Sequence, residues 1–173
     1  VDELGERFLA RKREELARHF ARFGTREEVE EIMGVTPSSG HIEWALAGAM
    51  WSARRERIEW IWRRYGLCGE DRFKGLARAV QSGNVETVTW LVEQGAHLEG
   101  EHLSDAVESS SMEMYELVWN SIGEQRDQVD WHGCLWHAAA LEDLELVIRV
   151  VQDAGGALVQ ENYGYAVRCA TKE

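Results

Sequence analysis

The chain has 173 residues, 45% of them hydrophobic, and a formal net charge of −12. This is one domain's worth of chain with enough apolar content for a folded core, with no apolar run approaching the 18 or more residues of a membrane span and no segment of signal-peptide form. The charge is uneven: residues 1–75 hold 14 Lys+Arg against 14 Asp+Glu, and residues 76–173 hold 5 against 17, an acidic half that repels a nucleic-acid backbone.

Residues 1–16 come first. Leu4, Phe8, Leu16 and Phe20 fall broadly on one helical side, with Arg7, Arg11, Lys12 and Arg13 beside them. The expectation is a capping helix with a polar outer face. A basic amphipathic helix for a membrane surface or a partner is the competing reading, weakened by the interspersed Glu3, Glu6, Glu14 and Glu15.

From Ala17 onward one pattern recurs. A small-residue helix is followed by a tight turn and a bulkier second helix. Counted from an opening residue, apolar or small residues fall three, four, twelve, fifteen and sixteen positions later, with a turn residue at seven. The copies open at Ala17, Leu46, Leu76, Leu103 and Leu135, and a truncated sixth opens at Ala166. The openings are 29, 30, 27, 32 and 31 residues apart, a spacing that belongs to stacked repeats. The first copy places Phe20, Ala21, Val29, Ile32 and Met33 on the grid, and its Thr25 and Glu28 have capping-box spacing. Thr36–Pro37–Ser38–Ser39–Gly40 is the plainest loop signal in the chain. The second copy gives Ala49, Met50, Ile58, Ile61 and Trp62; the third, Ala79, Val80, Val88, Leu91 and Val92. The fourth gives Ala106, Val107, Tyr115, Val118 and Trp119; the fifth, Ala138, Ala139, Val147, Val150 and Val151. Gly34, Gly66, Gly95 and Gly123 sit where second helices should end. No window alternates strictly between apolar and polar, so the expected fold is all-α apart from short hairpins.

The third copy resembles an ankyrin repeat on Leu76, Ala79, Gly83, Asn84, Val88, Leu91, Val92, Gly95 and Ala96. The fifth adds His137, Ala138, Ala139, Leu144, Glu145, Leu146 and Val147. The resemblance covers the chain from about Ala17 to its end and is degenerate outside the third copy. It implies a solenoid of helical hairpins that binds another protein on its concave, helix-one face. No copy carries the family's T-P-L-H opening, and the spacing is mostly below the roughly 33 residues usual there, so the inter-repeat hairpins are expected to be short or trimmed. By register, the groove residues are those two, five and six after each opening. The partner-binding residues expected from this register are Arg22, Trp51, Arg78, Gln81, Asp105 and Glu108, joined by Trp131, which is read as a loop residue.

Other chemistry finds little footing. His132, Cys134 and His137 lie within six residues, but no second cluster completes a four-ligand zinc site. They read as a loop histidine, a cysteine and a surface histidine. No P-loop, G-x-G-x-x-G, G-x-S-x-G, H-E-x-x-H or EF-hand pattern occurs, and no nucleophile has an evident base. No cofactor and no metal are expected. Of eight tryptophans, Trp62 and Trp119 fall on the buried grid. Cys68, Cys134 and Cys169 are odd in number and widely spread, which fits a reducing intracellular site, cytoplasm or nucleus, better than a disulfide framework. The acidic half reads either as a solvated repeat surface or as a field that steers a basic protein segment. The chain begins with Val and ends inside a predicted helix, so a piece of a longer protein is expected. The leading functional expectation is a non-catalytic protein–protein interaction module. A structural spacer or assembly subunit is the alternative, and an enzyme whose catalytic part lies outside these residues is a third.

Overall fold

A computed structural model describes Lys12 and residues 15–34 and 37–158. The expected capping helix over 1–16 and the truncated copy at Ala166 lie almost wholly outside these residues. All regular structure among the described residues is helical, so the fold is all-α. The chain divides into two compact units between Ser82 and Gly83.

The first unit holds α1 (15–23), α2 (Arg26–Met33), α3 (Ser39–Trp51), α4 (Arg55–Tyr65) and α5 (Leu76–Gln81). Thr25 caps α2 through a capping box with Glu28, as the spacing predicts. Ser38 caps α3 in the same manner with His41. The expected loop over 36–40 is therefore too long. Ser39 and Gly40 already belong to α3, because the Ser38 hydroxyl accepts the His41 backbone N–H and lets the helix begin there. α3 packs on α2, α4 and α5. Its buried side chains are Ala45, Leu46, Ala49 and Met50, and those of α4 are Ile58, Ile61 and Trp62. After α4 comes a 3-10 segment at Gly69–Phe73. The Trp62 indole donates to the Arg72 carbonyl there, at 2.9 Å.

The second unit holds α6 (Val85–Glu93), α7 (His102–Glu108), α8 (Met112–Ser121), α9 (Trp131–Ala140) and α10 (Leu144–Ala154). α7 packs on α8 and α9, α6 on α8, and α9 on α10. First helices thus lie beside first helices and second beside second. The small residues Ala106, Ala138 and Ala139 are fully buried, which lets α7 and α9 approach closely. Tyr115, Val118 and Trp119 of α8 are buried as the grid requires, but Val147 and Val151 of α10 are only half-buried. In α10, Leu146 and Val150 carry the core instead.

The turns are more alike than their residues indicate. The position seven after an opening has positive φ at Ala53 (51°), Gly83 (71°), Ser110 (54°) and Glu142 (58°). Only one of the four is glycine, the residue for which that region carries no Cβ penalty. The next position caps the second helix in four copies: Thr25, Asn84, Ser111 and Asp143 each accept a backbone N–H three residues on. Arg54, the fifth, makes no such bond. The residue before the turn is Ser52, Ser82 or Ser109 in three copies, and its hydroxyl donates to the carbonyl of Ala49, Ala79 or Ala106. Gly34, Gly66, Gly95 and Gly123 all take positive φ behind second helices, as expected.

Candidate functional site

In the first unit, α1 ends at Phe23, α3 ends at Trp51, and α5 carries Arg78 and Gln81. α3 packs on α5, and α1 meets α3 at Gly48, where an added Cβ would collide with the Arg18 carbonyl. This packing brings four of the expected residues together. The guanidinium carbon of Arg22 lies 4.4 Å from the centroid of the Trp51 ring, and that of Arg78 lies 5.3 Å from it. Both are within cation–π range. Arg78 also donates to the Gln81 side-chain carbonyl one turn on. Trp51 is half-buried, so part of its ring stays open.

A cleft of about 530 Å³ opens beside Trp51, between α1 and α3. Leu16, Phe23 and Trp51 supply its apolar surface, and Phe23 is 62% exposed. Lys12, Arg18 and Arg22 supply positive charge. Glu15 also lines the cleft and pairs with Lys12 at 2.9 Å. Arg18 stacks over Trp44 at 4.8 Å, and Arg22 also lies 4.7 Å from the Phe23 ring. The His19 ring meets that of Phe23 at 5.2 Å. The cap expected over 1–16 includes Leu16 and Lys12, and no role is expected for Arg18 from its register. The signal was the stripe Leu16, Phe20 and Phe23: a helix that merely ends a stack would not need two exposed large apolar residues on its edge.

Asp105, Glu108 and Trp131 belong to the second unit. Asp105 is half-buried and Glu108 exposed, both on α7. Trp131 is not a loop residue. It is the first residue of α9, whose N-cap Asp130 accepts the Gly133 N–H at 2.9 Å. Its ring meets Trp119 edge-on at 5.6 Å, and Arg126 lies 3.9 Å from the Trp119 ring on the same aromatic pair. His132 likewise lies in α9 and not in a loop, because the Asp130 cap starts the helix before it. Cys134 is fully buried; burial first, then Asp130 and Asp105, pushes its thiol up to about 12. Among the described residues, no three His, Cys, Asp or Glu side chains gather into a group that could hold a metal ion. No helix among them is long and apolar enough to cross a membrane.

A second cationic cluster, Arg26, Arg63 and Arg64 around Trp60, edges a smaller hollow of about 270 Å³. There Arg63 is paired with Glu59 at 3.0 Å and Arg64 with Glu30 at 2.8 Å. Its charge is largely compensated, unlike that of the Trp51 cleft. Comparisons of the chain with family models, curated proteins and solved structures find no match.

Proposed function

We propose that this chain is a non-catalytic protein-interaction module built from degenerate ankyrin-like repeats with trimmed hairpins. A partner is bound on the helix-one side of the first unit, around Trp51. The observation that carries this reading is Trp51 held under two guanidinium groups at the edge of an open cleft. Tryptophan and arginine are the side chains most often found at the energetic centre of protein interfaces. Here stacking holds them in place before any partner arrives, which lowers the ordering cost of binding. The repeat grid supports the module reading. Most of its buried positions recur at the same offsets, and its left-handed turn residue and its helix-two cap each recur in four of the five described copies. Small residues on first helices and bulk on second helices are what stacking neighbours require.

The test is affinity capture with the wild-type chain and three variants whose folding is checked by circular dichroism. Trp51→Ala and Arg22→Glu should lose the captured partner, whereas Arg63→Glu on the outer face of α4 should keep it. Equal capture by the two cleft variants, with loss on Arg63→Glu, would place binding on the other side and defeat this reading.

A further inference from the structure

Several basic side chains of the first unit are already engaged by acceptors. Arg55, Arg63, Arg64 and Lys74 each reach a carboxylate, and Arg57 is spent on backbone carbonyls. Arg18 and Arg22 are held differently, by stacking on Trp44 and on Trp51 and Phe23. Among the described residues, neither has a carboxylate within ion-pair distance. A guanidinium lying over a ring keeps N–H donors that can grip a carboxylate with two parallel hydrogen bonds. Beside these groups, Leu16 and Phe23 remain 42% and 62% exposed. The cleft is therefore cationic and apolar together, in a chain whose net charge is −12.

We propose that this cleft binds an acidic linear peptide segment of a partner protein, seating one apolar side chain against Phe23, Leu16 and Trp51 while flanking carboxylates pair with Arg18 and Arg22. The proposal rests on the partner-binding reading above and names the chemistry of the segment. Charge complementarity selects it. A basic segment, the partner that overall charge alone points to, would meet Arg18, Arg22 and Arg78 and be repelled. A purely acidic segment without an anchor would leave the apolar wall uncovered. The volume of the cleft accommodates one large side chain with its flanking residues.

The experiment is selection of a random linear peptide library on the whole chain, followed by anisotropy titration of one labelled selected peptide. The expected pool is rich in Asp and Glu around a Leu, Phe or Met. Its binding should weaken about ten-fold or more on Arg22→Glu, and should fall steeply as salt is raised. A pool selected on the Arg18→Glu/Arg22→Glu double variant should turn from acidic to basic. A neutral or basic wild-type pool that still depends on Trp51 overturns the acidic specificity and leaves the interaction reading standing. An acidic pool indifferent to Trp51, Arg18 and Arg22 overturns the site. Failure to enrich any sequence overturns the linear-segment proposal, and the capture experiment then judges the broader reading alone.

Discussion

Arg57 reaches from α4 to the end of α1, where its guanidinium donates to the carbonyl of Ala21 at 2.8 Å. The same group also donates to Phe20 and Gly24. The Phe20 carbonyl also accepts the Gly24 N–H, while Ala21 lies in the last turn of α1 and Gly24 just beyond it; a helix end leaves carbonyls in need of such donors, and a cation there is favoured by the helix dipole as well. Arg57 thereby fixes the end of the helix that presents Arg22 and Phe23 to the cleft. Arg57→Ala should lower stability by about 1.5–3 kcal/mol, the range for hydrogen bonds to a charged group. Arg57→Lys should fall between, since an ammonium cannot span three carbonyls with a planar fork. The urea midpoint at constant slope measures this. A change under roughly 0.5 kcal/mol for the alanine variant would put Arg57 among ordinary surface positions.

Gly48 offers a test in which two effects have opposite sign. By helix propensity alone, Gly48→Ala within α3 should stabilise by about 1 kcal/mol. But the added Cβ would strike the backbone carbonyl of Arg18, which cannot rotate away as a side chain would. Separating α1 from α3 should cost about 1–3 kcal/mol and pull Arg22 from Trp51. The expected result is net destabilisation with loss of peptide binding. Net stabilisation with binding intact would mean that the helices do not approach as closely as described.

The turn positions reverse the usual rule that glycine weakens a fold. Ala53 and Ser110 hold φ of 51° and 54°, where an L side chain is strained by about 1–2 kcal/mol. Ala53→Gly and Ser110→Gly should each stabilise by about 0.5–1 kcal/mol, after the added freedom of the unfolded chain is subtracted. Gly83→Ala should do the opposite by about 1 kcal/mol. A Cβ there meets Ser109 only at ordinary contact distance, so the backbone angle decides. Thermal melts of the three variants read the signs directly.

Cys134 gives a dependence on pH. Its thiol is raised from 9.0 to about 12 in the folded chain, chiefly by burial. Above pH 9 the unfolded chain releases this proton and the folded chain keeps it, so the folded state binds more protons and stability falls as pH rises. The contribution is fully present below the ordinary thiol range. It is lost at about 1.4 kcal/mol per pH unit for one proton as pH climbs toward 12. Tyr115, also raised by burial and by Asp153 beside it, acts in the same direction at higher pH. Cys134→Ala should flatten the alkaline slope by one proton. Mass mapping after brief alkylation of the native chain should label exposed Cys68 and spare Cys134. Labelling of both at equal rates would contradict the burial.

Helical period and its phase come from local side-chain chemistry, so the sequence by itself determined the all-α class, the Thr25–Glu28 cap and the buried positions from Leu46 to Trp62 and from Leu103 to Trp119. The same local logic failed where a neighbour's hydroxyl or carboxylate sets a helix start. Ser38 draws Ser39 and Gly40 into α3, and Asp130 makes Trp131 and His132 helical. Nor could residue types reveal that Ala53, Ser110 and Glu142 hold a glycine's turn, because surrounding packing imposes that backbone angle against their preference. Register named Arg22, Trp51, Arg78 and Gln81 one at a time. Their meeting around one indole, and the cleft that Leu16, Arg18 and Phe23 complete, depend on the approach of α1 to α3 at Gly48 and on Arg57 clasping the end of α1. Those contacts join residues 30 or more positions apart, and only the tertiary structure decides them.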